Sequence, residues 1–414
     1  MTPEIKRRIE QLRRSSIPEG YKKTKAGILP ADWDLHMLGE CLSRVEKPVE
    51  VKPNKLYTQI GIRSHGKGIF YKEPVTGAAL GNKSVFWIEP DCFIVNIVFA
   101  WEQAIGKTTQ SEVGMIGSHR FPMYRPVNDR VDIDYLISYF LTKRGTDILE
   151  AASPGGAGRN KTLGQERFLK SKIVLPPIGE QQKIAAILTT QDRVIELKEK
   201  RLAEKQRQKK YLMQQLLTGK KRLPGFYGAW SFPKAKELFQ SVSDKDHNGD
   251  LAVLSSTQDR GIVPRDEVDI DIKYDACSLV NYKKVSKGNF VISLRSFQGG
   301  IEYSTYTGLV SPAYTVLSSR KEISDGYYKQ FFKSTDYINR LNVAVYGIRD
   351  GKQISYEDFG RLRIPYPPIK EQDAIAEVLS TADREIELLQ QDIEQEKQKK
   401  KALMQLLLTG IVRV

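Results

Sequence analysis

Ile173 to Gly219 reads IVLPPIGEQQKIAAILTTQDRVIELKEKRLAEKQRQKKYLMQQLLTG, and Ile364 to Gly410 reads IPYPPIKEQDAIAEVLSTADREIELLQQDIEQEKQKKKALMQLLLTG. The two stretches align without a gap at one constant offset, which carries Glu180 to Glu371 and Gly219 to Gly410. About half of the aligned positions are identical, and Pro-Pro-Ile, Glu-Gln and Leu-Leu-Thr-Gly recur in register. Shared helical character does not produce that coincidence, so the chain contains a duplication. Weaker echoes lie outside the blocks: Trp33 follows GILPAD and Trp230 follows PGFYGA, while Gly156, Lys161 and Phe168 keep the offset to Gly347, Lys352 and Phe359. The remaining segments have diverged. The plan is variable, shared, variable, shared, as expected of one scaffold carrying two interchangeable modules.

Each block opens with Pro-Pro, which cannot continue a preceding helix and presets first-turn geometry. Each closes on Thr-Gly, a common helix stop. Between them stand about forty residues of strong helix formers, with no Pro or Gly after the first turn. Apolar residues recur at alternating spacings of four and three, the period of a coiled coil. The stripe runs through Ile184, Leu188, Ile195, Leu202, Leu212 and Leu216 in the first block, and through Ile375, Leu379, Ala382, Ile386, Leu389, Ile393, Leu403 and Leu407 in the second. Polar residues at Gln191, Lys198, Lys205 and Lys209, and at Glu396 and Lys400, interrupt it. Such helices suit antiparallel pairing with each other, with Ile184 near Leu407, Leu202 near Leu389 and Leu216 near Ile375. Each would span about 60 Å, with the globular segments at opposite ends of a rod. Parallel pairing within a homodimer is the competing arrangement.

The intervening segments read as compact mixed α/β domains. Strand-like runs occur at Val85 to Ile88, Phe93 to Phe99, Asn289 to Leu294 and Tyr314 to Leu317, with helices expected at Ile133 to Arg144 and Asp325 to Asn339. Ile5, Ile9 and Leu12 suit a short amphipathic helix beside the rod's end, or else lie in a disordered basic arm. The expected boundaries are an N-terminal arm at 1–20, a globular domain at 21–172, a helical block at 173–219, a second globular domain at 220–363 and a second block at 364–414.

Sixty-five Lys and Arg against fifty Asp and Glu leave a net charge of +15 over 414 residues. That excess favours polyanions, because each cation that meets a phosphate releases condensed counterions. No apolar run approaches membrane-spanning length and the charged N-terminus does not resemble a secretory signal. Scattered Cys41, Cys92 and Cys277 give neither a disulfide framework nor zinc spacing, so a reduced, cytoplasmic protein is expected.

Catalytic motifs are imitated but incomplete. Gly61 to Lys67 has the spacing of a phosphate-binding loop, but Gly68 replaces the magnesium-binding hydroxyl; Trp101 spoils the fragment ending Gly106-Lys107-Thr108, and Asn160 the one ending Lys161-Thr162. Pro365 to Ile369 lacks the leading Asp or Asn of an amino-methyltransferase tetrapeptide. Asp271-Ile272-Lys273 has no well-spaced acidic partner for nuclease chemistry. No catalytic residue, metal site or cofactor is therefore expected in this chain, which leaves binding as its main task.

Two variable domains alternating with near-identical helical blocks, each introduced by PPIxEQ and closed by LLTG, resemble the specificity subunits of type I restriction-modification systems over essentially the whole chain. Phe290 to Gly300 (FVISLRSFQGG) and Gly308 to Tyr314 (GLVSPAY) look like segments of that family's target-recognition domains, whereas Cys92 to Ala104 and Gly114 to Tyr124 correspond only approximately. The resemblance implies an α+β fold of two target-recognition domains separated by an antiparallel coiled coil, with a pseudo-twofold internal repeat. Each domain would read one half of a bipartite, asymmetric target in double-stranded DNA, and the helices would set the spacer and dock two methyltransferase (modification) subunits. S-adenosylmethionine would belong to those subunits, and ATP and Mg to the restriction/translocase subunits that join them. The alternatives are a coiled-coil adaptor that binds DNA without sequence specificity, or the remnant of a fused restriction or methyltransferase enzyme.

Base-edge readout needs side chains with bidentate donors and acceptors. On Gly-rich loops these are Arg63, His65 and Lys67, then Arg159, Asn160 and Lys161, in the first half. In the second half they are Gln258, Arg295, Gln298, Arg349 and Lys352. For each, a phosphate contact or simple solvent exposure is the plainer role.

Overall fold

The computed structural model describes residues 3–24, 27–155, 161–268, 276–344 and 354–414. The chain forms two compact units, residues 1–197 with 393–414, and residues 198–392. Each repeated block becomes one uninterrupted helix, Ile178–Leu216 and Ile369–Leu407, and each of these helices has residues in both units.

The helices pair antiparallel within each unit. In the first unit Gln191 Nε2 donates to Glu396 Oε2 at 2.6 Å and Lys400 meets Asp192 at 2.5 Å. In the second, Lys198 meets Asp392 at 2.8 Å, Lys205 meets Glu385 at 2.6 Å, and Lys209 pairs with Asp383. These partners lie within one helical turn of the register expected from the apolar stripes. Gln191 thus meets the interruption at Glu396, the interrupting lysines meet acids that flank the facing stripe, and the apolar ends enter the cores: Ile184, Leu188 and Leu407 in the first unit, Leu216, Ile375 and Leu379 in the second.

The Pro-Pro-Ile-x-Glu-Gln opening has the same structural basis twice. Pro177 and Pro368 carbonyls accept the amides of the Glu-Gln pair that starts each helix. Buried Gln181 donates to the Pro176 carbonyl at 2.8 Å and accepts the Asp132 amide at 3.0 Å. Buried Gln372 donates to the Pro367 carbonyl at 2.8 Å and accepts the Ser324 amide at 2.9 Å. Asp132 and Ser324 are the N-caps of the helices Ile133–Phe140 and Asp325–Phe331. One glutamine therefore fixes the start of two helices, and its amide is satisfied in a site where an unpaired polar group would be costly. Its neighbour Glu180 accepts the Trp33 indole N–H at 3.0 Å and two bonds from Arg413 at 2.7 and 2.8 Å. Glu371 accepts the Trp230 indole N–H at 2.9 Å and two bonds from Arg222 at 2.5 and 2.6 Å. The Trp33 and Trp230 echoes in the sequence are two copies of this contact.

Both units carry a four-stranded antiparallel sheet with one strand order. In the first unit it runs Leu42–Val45, Met123–Pro126, Phe93–Val95, Ile105–Lys107. In the second it runs Phe239–Val242, Thr315–Ser319, Phe290–Ile292, Glu302–Tyr303. Smaller two-stranded pairs match as well: Ile60–Ile62 with Ile69–Tyr71 and Val85–Trp87 with Ile116–Ser118 in the first unit, Leu254–Thr257 with Gly261–Pro264 and Lys283–Val285 with Gly308–Val310 in the second. Phe168 and Phe359, which keep the repeat offset, are both fully buried.

Two expected helices are each two helices. The run from Ile133 breaks after Phe140 and resumes at Lys143–Ala151, because Thr142 caps the new helix by accepting the Gly145 amide. The run from Asp325 ends at Phe331 and resumes at Thr335–Ala344. The strand expected at Phe93 to Phe99 stops at Val95, where Asn96 turns the chain by accepting the Val98 amide at 3.1 Å. The N-terminal stretch forms a helix, Pro3–Arg13, and Arg8 donates to the Ile411 carbonyl at 2.9 Å.

Candidate nucleic-acid interface

In the first unit the strands Ile60–Ile62 and Ile69–Tyr71 are joined by a turn from Arg63 to Gly68. The Arg63 amide closes it on the Gly68 carbonyl at 2.9 Å, with His65 and Gly66 in left-handed backbone conformations. The tip rests on the loop that follows the central strand Phe93–Val95. Ser64 Oγ donates to Glu102 at 2.9 Å, the His65 amide to the Glu102 carbonyl at 2.7 Å, and the Gly66 amide to the Gln103 carbonyl at 2.9 Å. Arg63, His65 and Lys67 are exposed on this turn, and the Arg63 guanidinium lies 4.8 Å from the centre of the Phe70 ring. Lys161 is half-buried: it donates to Glu150 at 2.7 Å and stands 5.3 Å from the Trp101 ring centre, so it packs on the same loop. Arg159 and Asn160 lie outside the described residues.

The second unit repeats the plan with other residues. Leu254–Thr257 and Gly261–Pro264 are joined by exposed Gln258, Asp259 and Arg260, and Gly261 has φ +77°. The loop after the central strand Phe290–Ile292 contains the single turn Ser296–Gly299, where Ser296 Oγ accepts the Ser293 amide at 2.8 Å. Arg295 and Gln298 are exposed on it. The Gln258 side chain lies against Gly299, where a Cβ would come within 2.8 Å of Gln258 Cγ. Gln258, Arg295 and Gln298 are thereby brought to one edge. Arg349 and Lys352 lie outside the described residues, as do Gly156, Gly347 and Asp271 to Lys273.

Charge gathers beside this second edge. Lys283 Nζ donates to the Tyr314 carbonyl at 2.7 Å, and burial with Lys245 nearby holds its ammonium below the usual lysine range. Burial pushes the Tyr314 phenol up, against the opposing pull of the Arg265 and Arg295 guanidinium groups. Burial likewise raises the Glu302 carboxyl, opposed by the Lys333 ammonium. Among the described residues no cluster of three or more His, Cys, Asp or Glu is placed to hold a metal, and no helix is long and apolar enough to cross a membrane.

The spacing of residue types missed Trp101 and Gln103 in the first unit and Arg260 and Lys333 in the second. Setting FIVNIVFAWEQ (Phe93 to Gln103) on FVISLRSFQGG (Phe290 to Gly300) places Trp101 opposite Gln298, a correspondence carried by the strand and not by the loop that follows it.

The comparisons with known proteins bear on the chain's family and fold. The family described as "Type I restriction modification DNA specificity domain" matches residues 74–207 and 229–398. Two proteins of Methanocaldococcus jannaschii are similar over nearly full length. One, a putative type I restriction enzyme MjaX specificity subunit, is 25% identical over 96% of this chain and 97% of its own. The other, the type I restriction enzyme MjaVIII specificity subunit, is 24% identical over 96% of each. Among solved structures, the S subunit of a type I restriction-modification system from M. genitalium has a TM-score of 0.55 at 12% identity, covering 91% of this chain and 96% of that one. A chain from a study of assembly and conformational transition in the type I R-M system has a TM-score of 0.58 at 18% identity, covering 93% and 99%. With two matched domains spanning most of its length, this chain belongs to the specificity subunits of type I restriction-modification systems.

Proposed function

We propose that each unit reads one half of a bipartite double-stranded DNA target through its hairpin tip and the loop after its central strand. One observation carries this reading: the same topology twice sets an exposed tip against that loop, and side chains able to address base edges stand on the tip in the first unit and on tip and loop in the second. Those are Arg63, His65 and Lys67 in the first unit, and Gln258 with Arg295 and Gln298 in the second. The basic excess adds sequence-independent attraction to phosphates, and the tips supply the discrimination.

The long helices are proposed to dock two copies of one methyltransferase subunit. Thr190, Arg193, Glu196 and Leu197 are identical to Thr381, Arg384, Glu387 and Leu388, and all eight are exposed. Leu197 and Leu388 are 50% and 58% exposed. Core packing does not constrain exposed residues, whereas the same partner met twice does. In this reading the chain carries out no chemistry. S-adenosylmethionine belongs to the methyltransferase subunits, and ATP and Mg to restriction/translocase subunits. The setting is the reducing cytoplasm, in keeping with free, buried Cys41 and Cys92.

The test is genome-wide adenine methylation in a host expressing this chain with its modification partner. Arg63→Ala with Lys67→Ala is expected to relax one half of a bipartite motif, and Arg295→Ala with Gln298→Ala the other half. Loss of each good bidentate contact lowers discrimination roughly ten-fold or more. Methylation that ignores sequence from the outset would favour the adaptor reading instead.

A further inference from the structure

Lys333 stands just beyond the helix Asp325–Phe331 and belongs to neither loop of the second unit's edge. Its ammonium nevertheless reaches both. Nζ donates to the Gln258 carbonyl at 3.1 Å, on the hairpin tip, and to the Gly299 carbonyl at 2.9 Å, on the loop after the central strand. Its third partner is the Glu302 carboxylate on the strand Glu302–Tyr303. An ammonium has three donors, and all three are used. Glu302 is 2% exposed, and a carboxylate so buried needs a paired charge. The buried acid therefore fixes the ammonium, and the ammonium ties two loops at their tips, where the only β-bridge between their flanking strands among the described residues, Ile262 with Ser304, does not reach.

The neighbouring backbone leaves little slack around this node. A Cβ on Gly300 would lie 2.1 Å from the Phe332 carbonyl, and one on Gly261 would lie 2.7 Å from the Tyr303 carbonyl. Both glycines have positive φ. The first unit joins its corresponding loops directly, through Ser64, His65 and Gly66 on Glu102 and Gln103. The helix caps Asp132 and Thr142 correspond to Ser324 and Ser334, so Leu141 stands where the second unit has Lys333, and its side chain packs against Gly66 of the tip where the lysine donates hydrogen bonds. The lysine bridge is thus a device of the second unit.

We infer that Lys333, held by Glu302, is a positioning residue for half-site specificity: it sets the spacing between the Gln258 tip and the Arg295–Gln298 turn without touching DNA. This rests on the proposal that those loops read bases. A site displaced by about 1 Å loses discrimination while keeping most of its sequence-independent contacts.

The experiment uses the full chain co-expressed with its modification partner, with adenine methylation mapped genome-wide for Lys333→Met, Lys333→Arg, Glu302→Gln, and Gln258→Ala with Arg295→Ala. Lys333→Met is expected to make one or two positions of a single half-site degenerate, about ten-fold, with the other half-site unchanged. Lys333→Arg, which keeps charge and donors, is expected to restore part of the preference. An unchanged motif in Lys333→Met, or a uniform fall in methylation at all sites with the motif intact, would overturn the inference, the latter showing a purely structural role. If Lys333→Met does not accumulate as folded protein, Glu302→Gln decides by the same criterion, since it keeps shape and weakens the hold on the ammonium. If the tip variant Gln258→Ala with Arg295→Ala leaves the motif unchanged, the base-reading proposal fails and takes this inference with it. If the tip variant alters the motif and Lys333→Met does not, the inference alone is lost.

Discussion

Glu371 is fully buried, and its carboxylate is satisfied by one indole N–H and a guanidinium fork from Arg222. Glu180 repeats the arrangement with Trp33 and Arg413. Removing one partner from such a pair leaves a charge that burial penalises and nothing compensates. Arg222→Ala is therefore expected to destabilise the second unit by about 2–3 kcal/mol, read as a lower urea midpoint with little change in slope. Arg413→Ala is expected to do the same to the first unit. Equal midpoints for mutant and parent would mean that water takes over the guanidinium's role. At this scale the sequence was informative only in part. Glu-Gln recurred in register, and the same offset links Arg222 to Arg413 beyond the end of each block. The tryptophans stand at a different separation from their glutamates, and no periodicity joins residues about 150 positions apart. The pairing became visible only when the fold brought them together.

Among the elements, the long helices were the most legible, because a 3.5-residue stripe with apolar ends and a polar middle has few ways to pair. Lys209 with Asp383 and Lys205 with Glu385 contribute little stability as half-exposed pairs. They do penalise a shifted register, which would set lysines against the apolar ends. Short helices were less legible, since propensity does not register a break made by tertiary contact. Between Phe140 and Lys143 the chain folds back so closely that a Cβ on Gly145 would lie 2.2 Å from the Tyr139 carbonyl and 2.4 Å from Phe140 Cα. Gly145→Ala, favourable on helix propensity alone, is instead expected to destabilise by about 1–3 kcal/mol, because backbone on both sides must move. A thermal melt of the first unit's transition checks the sign. A stabilised variant would show that the corner yields freely.

For the molecule as a whole, the duplication gives two readers of one architecture and different loops, and both long helices run from residues of one unit into residues of the other. Sequence showed the number of readers but not their contact residues, because the repeat identities stop where the loops begin. The proposal that helix length sets the spacer between half-sites makes a numerical prediction. The division between units falls after Leu197 in the first helix and after Asp392 in the second. Seven residues inserted at both points keep the heptad phase and leave every pair intact, Gln191 with Glu396 on one side and Lys198 with Asp392 on the other. The added length is about 10 Å, close to three base pairs at about 3.4 Å each. The doubly extended chain is expected to direct methylation to the same two half-site sequences with a spacer about three base pairs longer. Insertion into one helix alone shifts one strand of the pair by a heptad, separates Lys209 from Asp383 or its counterparts, and is expected to abolish methylation through loss of assembly. If the doubly extended chain methylates at the original spacing, the helices do not set it, and the spacer must be fixed by the partner subunits instead.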